Sequence, residues 1–326
     1  MAPFYQRANE LRQIVERQCS DHNTLTFEKE EHKVYEGYIK EYIEANDGKN
    51  TSRDPIVFNH RSKSRRNSTV EELKQTEIMQ EISIDSHSRI PMLVGQEGMV
   101  SSVAIGKGSV LGEYYSKYIL SHHLNQLSGT KTYNEINKYA FDSTVYNVKL
   151  TREQLKYFLS TDINASISRK RGRESKQEDD MEPVHKKQRL NNNESRSNNN
   201  HNNRNIEDVD EDLVDNDFNV VLDGISFKPK HKLLLLNDCR KDMEMASPTE
   251  DDDKYWNVEF VKVHHKGWPR IFAVARKEIE VDAELATFYG NYMDVMKEEN
   301  ELNQRNRKLK RVLRPYGLDH IVDELK

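Results

Sequence analysis

Apolar residues recur at helical spacing in two stripes within the first 50 residues, and this pattern predicts two helices. The first stripe consists of Phe4, Leu11, Ile14 and Val15. The second consists of Val34, Tyr38, Ile39, Tyr42 and Ile43. We expect the first helix to end at the polar string "SDHNT", and the second to begin after Thr24 or Thr26 and to end at Gly48. Residues 1–68 are thus predicted to form an N-terminal region with two parts. The first is a helical hairpin for packing or dimerisation, and the second, 49–68, is a polar, basic linker or mobile loop.

From about Ile90 the helical spacing gives way to short β-branched runs separated by glycines. The string "IPMLVGQEGMVSSVAIGKGSVLGEYYSKYIL" predicts short strands joined by tight turns. Strand patterns return after residue 217 in "DFNVVLDGISFKPKHKLLLLNDC", "YWNVEFVKVHH" and "RIFAVARKEIEVDAELATFYG". Neither half has enough strands to close a core, so 69–160 and 218–294 are predicted to form one β-rich domain. The charged segment 295–326 has helical spacing and is predicted to be a helical tail.

Asparagine-rich and acidic strings separate the two halves of this domain. Residues 161–217 hold too few apolar side chains to offset the entropy of ordering, so we expect them to be disordered. Within them lie two basic clusters, "RKRGR" at Arg169–Arg173 and "HKKQR" at His185–Arg189. Paired basic clusters are typical of a nuclear-localisation signal, so a nuclear import receptor is expected to bind 169–189. The alternative is a solvated charge run.

Composition narrows the class of protein. The chain has 326 residues, 32% of them charged, and a net charge of −5, which argues against direct binding to nucleic acid. Two cysteines, Cys19 and Cys239, cannot form a disulfide framework or a zinc cluster, so no metal is expected. No secretory signal and no membrane-spanning apolar stretch is visible. We therefore expect a soluble intracellular protein that makes no contact with membranes.

Three separated strings resemble the SET domain of protein-lysine methyltransferases. They are "GMVSSVAIGKGSVLGEYYSKYI", "LLLLNDC" and "RIFAVARKEIEVDAELATFYG". Their order and spacing match the family's glycine-rich strand, asparagine motif and terminal tyrosine motif, over about residues 90–160 and 217–294. The resemblance implies an α+β, SET-type fold of several small β-sheets (a β-clip), here with an N-terminal helical hairpin and a C-terminal helix. The chain lacks the cysteine-rich, zinc-binding flanks that many members of the family carry.

The resemblance implies a nuclear enzyme that transfers methyl groups from S-adenosylmethionine to lysines of a histone tail or another nuclear protein. A lysine has a pKa near 10.4 and must be delivered neutral to such a site. Tyrosine suits the site because its ring attracts cations and its hydroxyl can bond the amine. Acidic runs such as "EDVDEDLVDND" could steer a basic substrate, although such runs more often only solvate the chain.

The resemblance also assigns the site residues. The catalytic positions are Tyr289 and Tyr114. The substrate channel is assigned to Phe260, whose phenyl ring leaves room for di- or trimethylation, and to Tyr292. The cofactor is expected at Gln96, Glu97, Gly98, Met99, Asn237 and Asp238.

The chain departs from the family pattern at several of these positions. Gln96 replaces the first glycine of the cofactor turn, Asp238 replaces a histidine, and Phe288 replaces an acidic residue. These departures leave two alternatives open. One is a degenerate SET domain that serves as a scaffold, and the other is an interaction protein whose helical ends drive assembly. Without the resemblance, Tyr114 and Phe260 would be core aromatics on strands.

Overall fold

The computed structural model describes residues 2–21, 23–47, 54–64, 67–84, 94–114, 117–137, 139–160, 213–224, 232–242 and 247–289. The predictions for Gly48, for residues 161–212 and for the tail with Tyr292 lie outside these ranges. Within them the protein is a mixed α+β structure with several small separate sheets and few helices. The described chain clusters into one unit of residues 1–145 and 219–326 and a second of residues 146–218.

The predicted N-terminal helix is confirmed as α1, Ala2–Gln18, which buries Phe4, Ala8, Leu11 and Val15. The second prediction is wrong in its first part. The chain there forms strand β1, Leu25–Phe27, then a 3-10 helix, Glu30–Tyr35, and only then α2, Glu36–Asn46. Val34 is 70% exposed, so its helical spacing from Tyr38 was a coincidence of sequence. Tertiary pairing explains the difference, because β1 pairs antiparallel with a strand more than 200 residues away.

The predicted linker at 49–68 is also wrong where the structure describes it. Strand β2, Ile56–Ser64, pairs antiparallel with β3, Asn67–Lys74. The start of β2 is anchored by the buried Asn59 side chain, whose amide donates to the carbonyl of Ala104 and accepts from the N–H of Gly106, both at 3.0 Å. A polar residue thus does the anchoring, and composition alone did not reveal a strand.

A six-stranded sheet forms the centre of the first unit. Besides β1, its strands are β6 (Val110–Glu113), β10 (Asn237–Asp238), β11 (Trp256–His265), β12 (Trp268–Ala275) and β13 (Ala286–Thr287). The order is β10-β13-β11-β12-β6, with β1 also pairing with β11. β11 and β12 form a hairpin whose turn residues, Lys266 and Gly267, have φ of 55° and 72°. Such left-handed turn residues match the twist of two-residue hairpins.

Apolar residues of β11 and β12 pack against α2 to form the main core. Its members are Leu25, Phe27, Tyr35, Ile39, Tyr42, Ile43, Val110, Val261, Val263, Phe272 and Val274. Burying each large side chain of this kind contributes about 1.5–3 kcal/mol. Strand β1 and helix α2 are therefore part of the core on which the site is built.

Smaller elements complete the first unit. Strand β4, Met79–Ser83, pairs with β5, Glu97–Ser101, and β7, Lys117–Leu120, pairs with β9, Val214–Asp223. β8, Ala140–Leu150, lies on the other side of β9. The α-helices are α3 (Gln75–Ile78), α4 (Ser121–Asn125), α5 (Lys131–Asn137) and a short helix at Glu250–Asp253. Lys232–Leu235 is a short 3-10 helix.

The second unit contains helix α6, Arg152–Leu159, and the adjoining ends of β8 and β9. Thr151 and Gln154 form a capping box at the start of α6, and Phe158 packs against Phe218 at a ring distance of 6.4 Å. Because β9 begins at Val214, the prediction of disorder over 161–217 is wrong for its last residues. Asp215 and Asp217 alternate there with Val214, Asn216 and Phe218. The acidic composition of this segment therefore predicted disorder where the chain forms a strand.

Candidate functional site

Tyr114 lies immediately after β6 and is only 4% exposed. Its hydroxyl donates a hydrogen bond to the carbonyl of Tyr139 at 2.7 Å. Its ring meets Phe260 on β11 at 5.8 Å and Phe141 on β8 at 4.8 Å, both edge to face. Phe141 and Phe260 are themselves 5.2 Å apart. The structure therefore joins Tyr114 and Phe260 with Phe141 in a cluster of three contacting rings.

Tyr289 follows β13 and is 36% exposed. It is bonded at both ends to one short segment of chain. Its backbone N–H donates to Asp238 Oδ2 at 3.1 Å, and its hydroxyl donates to the carbonyl of Leu236. The pairing of β10 with β13, which places Asp238 opposite Thr287, holds the same two segments together.

The pairing of β11 with β13 relates Tyr289 to the aromatic cluster. The strands are parallel, and Val258 lies opposite Thr287. Phe260 and Tyr289 each come two residues after this pair, so their backbones lie at a similar level along the two strands. Gly224 gives a second link, because a side-chain carbon there would lie 2.3 Å from the Tyr114 hydroxyl and 2.7 Å from Leu234, two residues before Leu236.

The predicted cofactor residues come together around β5. Gly98 lies so close to Asn237 that an added Cβ would be 2.9 Å from the Asn237 amide nitrogen. The carbonyl of Met99 accepts the N–H of Leu285 at 2.8 Å, and Asn237 Nδ2 donates to Glu284 Oε1 at 3.2 Å. The first, second and third strings of the resemblance therefore meet here, although well over a hundred residues separate the first from the other two.

The four residues of the predicted cofactor turn differ in exposure. Gln96 and Glu97 are exposed, and the carbonyl of Gln96 accepts the N–H of Ile84 at 2.9 Å. Gly98 is buried, and the Met99 side chain is wholly buried. At this turn the exposed polar groups of Gln96 and Glu97 are therefore the ones that a ligand can reach.

Asp238 forms a fully buried ion pair with Arg240. Its Oδ1 accepts from the backbone N–H of Arg240 at 2.9 Å and from Nε at 3.0 Å, and its Oδ2 accepts from Nη2 at 3.0 Å. Both side chains have no measurable exposure. The Arg240 guanidinium also lies 5.0 Å above the ring of Phe288, so it contacts the residue next to Tyr289.

Glu113, which precedes Tyr114, belongs to a different environment. It accepts from Arg270 Nε at 2.8 Å and Nη2 at 2.6 Å, while Asp47 accepts from the same guanidinium at 2.9 and 3.0 Å. Burial alone would lower the pKa of Arg270, but Glu113 and Asp47 outweigh it and hold that pKa well above its usual value. The carboxylate beside the tyrosines thus stabilises the interior and does not reach the aromatic cluster.

Three residues of the site escaped prediction from sequence. Phe141 closes the aromatic cluster, Arg240 pairs with Asp238, and Asn257 holds the third string by donating to the carbonyl of Glu284 and accepting from the N–H of Ala286. Arg240 carried a possible signal, because an arginine two residues after an aspartate in an apolar string can fold back on it. Phe141 and Asn257 gave none, since their partners are distant in sequence.

Cys239 is buried next to Asp238, and this burial, together with the charges of Asp238 and Asp252, raises the pKa of its thiol to about 12. A thiol with such a pKa stays protonated at neutral pH and cannot act as a nucleophile. Among the described residues, no group of three His, Cys, Asp or Glu side chains could hold a metal ion.

No protein-family model matches the chain, and no curated protein matches it significantly. Within the described ranges, every helix is too short or too polar to cross a membrane.

Proposed function

We propose that the chain is a SET-type domain and acts as an S-adenosylmethionine-dependent protein-lysine methyltransferase on a histone or another nuclear protein. The observation that carries the proposal is the convergence of the three separated strings at Gly98, Asn237 and Tyr289. A resemblance produced by chance has no reason to bring those strings together. The two basic clusters within 169–189 support import into the nucleus.

Tyr289 is the residue that we assign to the target amine. Its hydroxyl donates its proton to the carbonyl of Leu236, so its oxygen lone pairs are directed elsewhere and can accept an N–H. An amine held by its N–H in this way keeps its own lone pair free for attack on a methyl group. Tyr289 is also partly exposed, so a substrate side chain can approach it from solvent.

Tyr114, Phe141 and Phe260 form the apolar wall of the proposed site. Apolar surroundings disfavour an ammonium ion, and this favours the neutral lysine that methyl transfer requires. Phe260 has no hydroxyl that would crowd the amine, which supports di- or trimethylation. Tyr114 is buried, with its hydroxyl bonded to Tyr139, so we assign it to the inner end of this wall.

The cofactor would lie at Gln96, Glu97 and Asn237, beside the buried Gly98 and Met99. These groups offer amide, carboxylate and backbone partners of the kind that recognise an amino acid and a nucleoside. S-adenosylmethionine supplies the methyl group from its sulfonium. The chain's own task is to hold a neutral amine in line with that methyl, since positioning of two reactants supplies much of the acceleration.

A second candidate is a scaffold that has lost methyl transfer. The tight packing of Tyr114 favours it, because ring distances of 4.8–5.8 Å leave the three aromatic rings in contact with each other. The two candidates differ in cofactor binding, which calorimetric titration of S-adenosylmethionine into the full chain measures. Saturable binding supports the enzyme. No binding at millimolar cofactor by folded protein favours the scaffold.

Methyl transfer to histones and to a library of lysine peptides tests the activity itself. Tyr289→Phe should lower the rate by about 100-fold, because it removes one hydrogen-bonding group aimed at the reacting amine. The matched control is Tyr146→Phe, which changes an exposed tyrosine of the second unit. Equal rates for the wild type and Tyr289→Phe would refute the role of Tyr289.

A further inference from the structure

Asp238 stands where the resemblance expects a histidine near the cofactor, yet its contacts lead to Tyr289 instead. We propose that the buried Asp238–Arg240 pair is a positioning device that fixes the backbone of Tyr289, and that Asp238 makes no contact with the cofactor. The proposal deepens the methyltransferase reading and depends on it for its kinetic consequences. Its structural part stands on hydrogen bonds and burial alone.

The hydrogen-bonding capacity of Asp238 is fully used within the protein. A carboxylate has about four acceptor sites. Asp238 accepts from the backbone N–H, Nε and Nη2 of Arg240 and from the backbone N–H of Tyr289, at 2.9–3.1 Å. The residue is also only 1% exposed. Neither an open acceptor site nor accessible surface is left for a ligand.

The two bonds of Tyr289 make its position sensitive to Asp238. The backbone N–H is tied to Asp238 and the hydroxyl to the carbonyl of Leu236, two residues earlier. A shift at Asp238 therefore tilts the tyrosine about its hydroxyl end. A carboxylate is a stronger acceptor for this N–H than an uncharged side chain is.

The residue before Tyr289 is held by the same pair. The Arg240 guanidinium lies 5.0 Å from the centre of the Phe288 ring. The rings of Trp256 and Phe288 are 5.5 Å apart. Trp256 is covered in turn by Arg276 at 4.1 Å. Two aromatic rings, Trp256 and Phe288, thus lie between the partly exposed Arg276 and the buried Arg240. Each of these contacts restrains the segment that carries Tyr289. The aromatic Phe288, unexpected from the family pattern, is the residue that lets Arg240 act on this segment.

The functional consequence is a loss of rate without a loss of binding. A displacement of about 1 Å at a reacting group can cost roughly 100-fold in rate. Asp238→Asn keeps the shape of the side chain and removes its charge. We expect it to lower kcat by about 10- to 100-fold while the Kd for S-adenosylmethionine changes less than about twofold.

The matched control is Asp252→Asn. Asp252 is equally buried, at 2% exposure, and also influences Cys239, but its hydrogen bonds run to the N–H of Lys241 and to Thr249. We expect Asp252→Asn to leave kcat and cofactor affinity near the wild-type values below its melting temperature. A purely structural role for Asp238 would make the two variants behave alike.

Hydrogen exchange of the Tyr289 amide gives a readout that needs no activity. Asp238→Asn should accelerate this exchange about tenfold, because a bond to a charged acceptor is lost, whereas Asp252→Asn should leave it unchanged. If Asp238→Asn does not fold, Arg240→Lys takes its place, since it keeps the charge but loses the two-pronged contact with Asp238. It should give a smaller effect in the same direction.

The possible failures are distinguishable. Faster Tyr289 exchange in Asp238→Asn, together with no methyl transfer by the wild type, would support the positioning role and refute the methyltransferase. Unchanged exchange in Asp238→Asn would overturn the positioning role even in an active enzyme. A tenfold or larger rise in the Kd for S-adenosylmethionine would instead place Asp238 at the cofactor.

Discussion

Neighbouring residues of the string "GEYY" have separate tasks because successive side chains of a strand face opposite sides. Glu113 pairs with Arg270 in the interior, and Tyr114 joins Phe141 and Phe260. Removing one partner of a buried ion pair is costly, whereas the pair itself adds little net stability. Glu113 therefore supports the site indirectly, by keeping Arg270 compensated on the strand next to β6.

Tyr118, on β7, makes the folded protein sensitive to alkaline pH. Burial raises the pKa of its hydroxyl to about 12 from 10.0, and the hydroxyl donates to the carbonyl of Pro269 at 3.1 Å. Between these two values the unfolded chain has lost a proton that the folded chain keeps, so stability falls as pH rises. We expect a loss of about 2–3 kcal/mol from Tyr118 between pH 10 and 12, measured by urea unfolding.

Tyr118→Phe should remove this part of the alkaline loss. At neutral pH it should cost only about 1 kcal/mol, for the hydrogen bond to Pro269. Burial of Cys239 adds a second loss in the same direction, which begins nearer pH 9 and remains in the variant. Tyr255→Phe, which changes an exposed phenol, is the control and should keep the full slope. An identical slope in Tyr118→Phe and wild type would count against the assignment.

At the scale of elements, one of the contacts that join the β2–β3 hairpin to the domain is especially tight. Asn59 holds the turn at Ala104–Gly106, and His60 receives support from Ser109 Oγ, which accepts its backbone N–H at 2.9 Å. A side-chain carbon at Gly106 would come within 1.6 Å of the His60 carbonyl oxygen. The turn thus requires glycine for close approach of two backbones.

Gly106→Ala should therefore destabilise the protein by at least about 3 kcal/mol, since backbone must move to make room. Gly37→Ala is the matched control. Gly37 lies in α2 with nothing within 4 Å of an added Cβ, and alanine is the better helix former, so this change should stabilise by roughly 0.5–1 kcal/mol. Urea unfolding measures both. Equal effects of the two substitutions would show that the turn can relax.

Local patterns predicted some elements and failed at others for a physical reason. α1 and the β11–β12 hairpin follow from spacing and alternation, because their stabilising contacts agree with the local sequence. β1 and the start of β9 were missed, since strands far away in sequence hold them: β11 for β1, and β8 for the start of β9. At the site, the three strings identified Gly98, Asn237 and Tyr289. The bond from the Tyr289 N–H to Asp238 joins two of these strings, so local sequence did not reveal it.

At the scale of the whole molecule, the long insertion and the strand after it need separate treatment. α6 ends at Leu159, and β9 begins at Val214, inside the segment that composition marks as disordered. Asp217 also accepts the backbone N–H of Asn147 through its Oδ1, at 3.4 Å. Residues 214–217 therefore belong to the folded part, while the two basic clusters lie wholly within 161–212.

Two deletions should then behave differently. Removal of 165–208 shortens the segment between α6 and β9 to roughly a fifth of its length, a little more than two halvings. It should stabilise the protein by roughly 1.5 kcal/mol, because each halving recovers about 0.6 kcal/mol of closure entropy. Removal of 161–217 also cuts β9 and should lower the melting temperature.

In cells, the shorter deletion should abolish nuclear accumulation, since it removes both basic clusters, while cofactor binding in vitro stays at the wild-type level. Nuclear accumulation of this variant would assign import to another part of the chain, and a loss of cofactor binding would make the insertion part of the site.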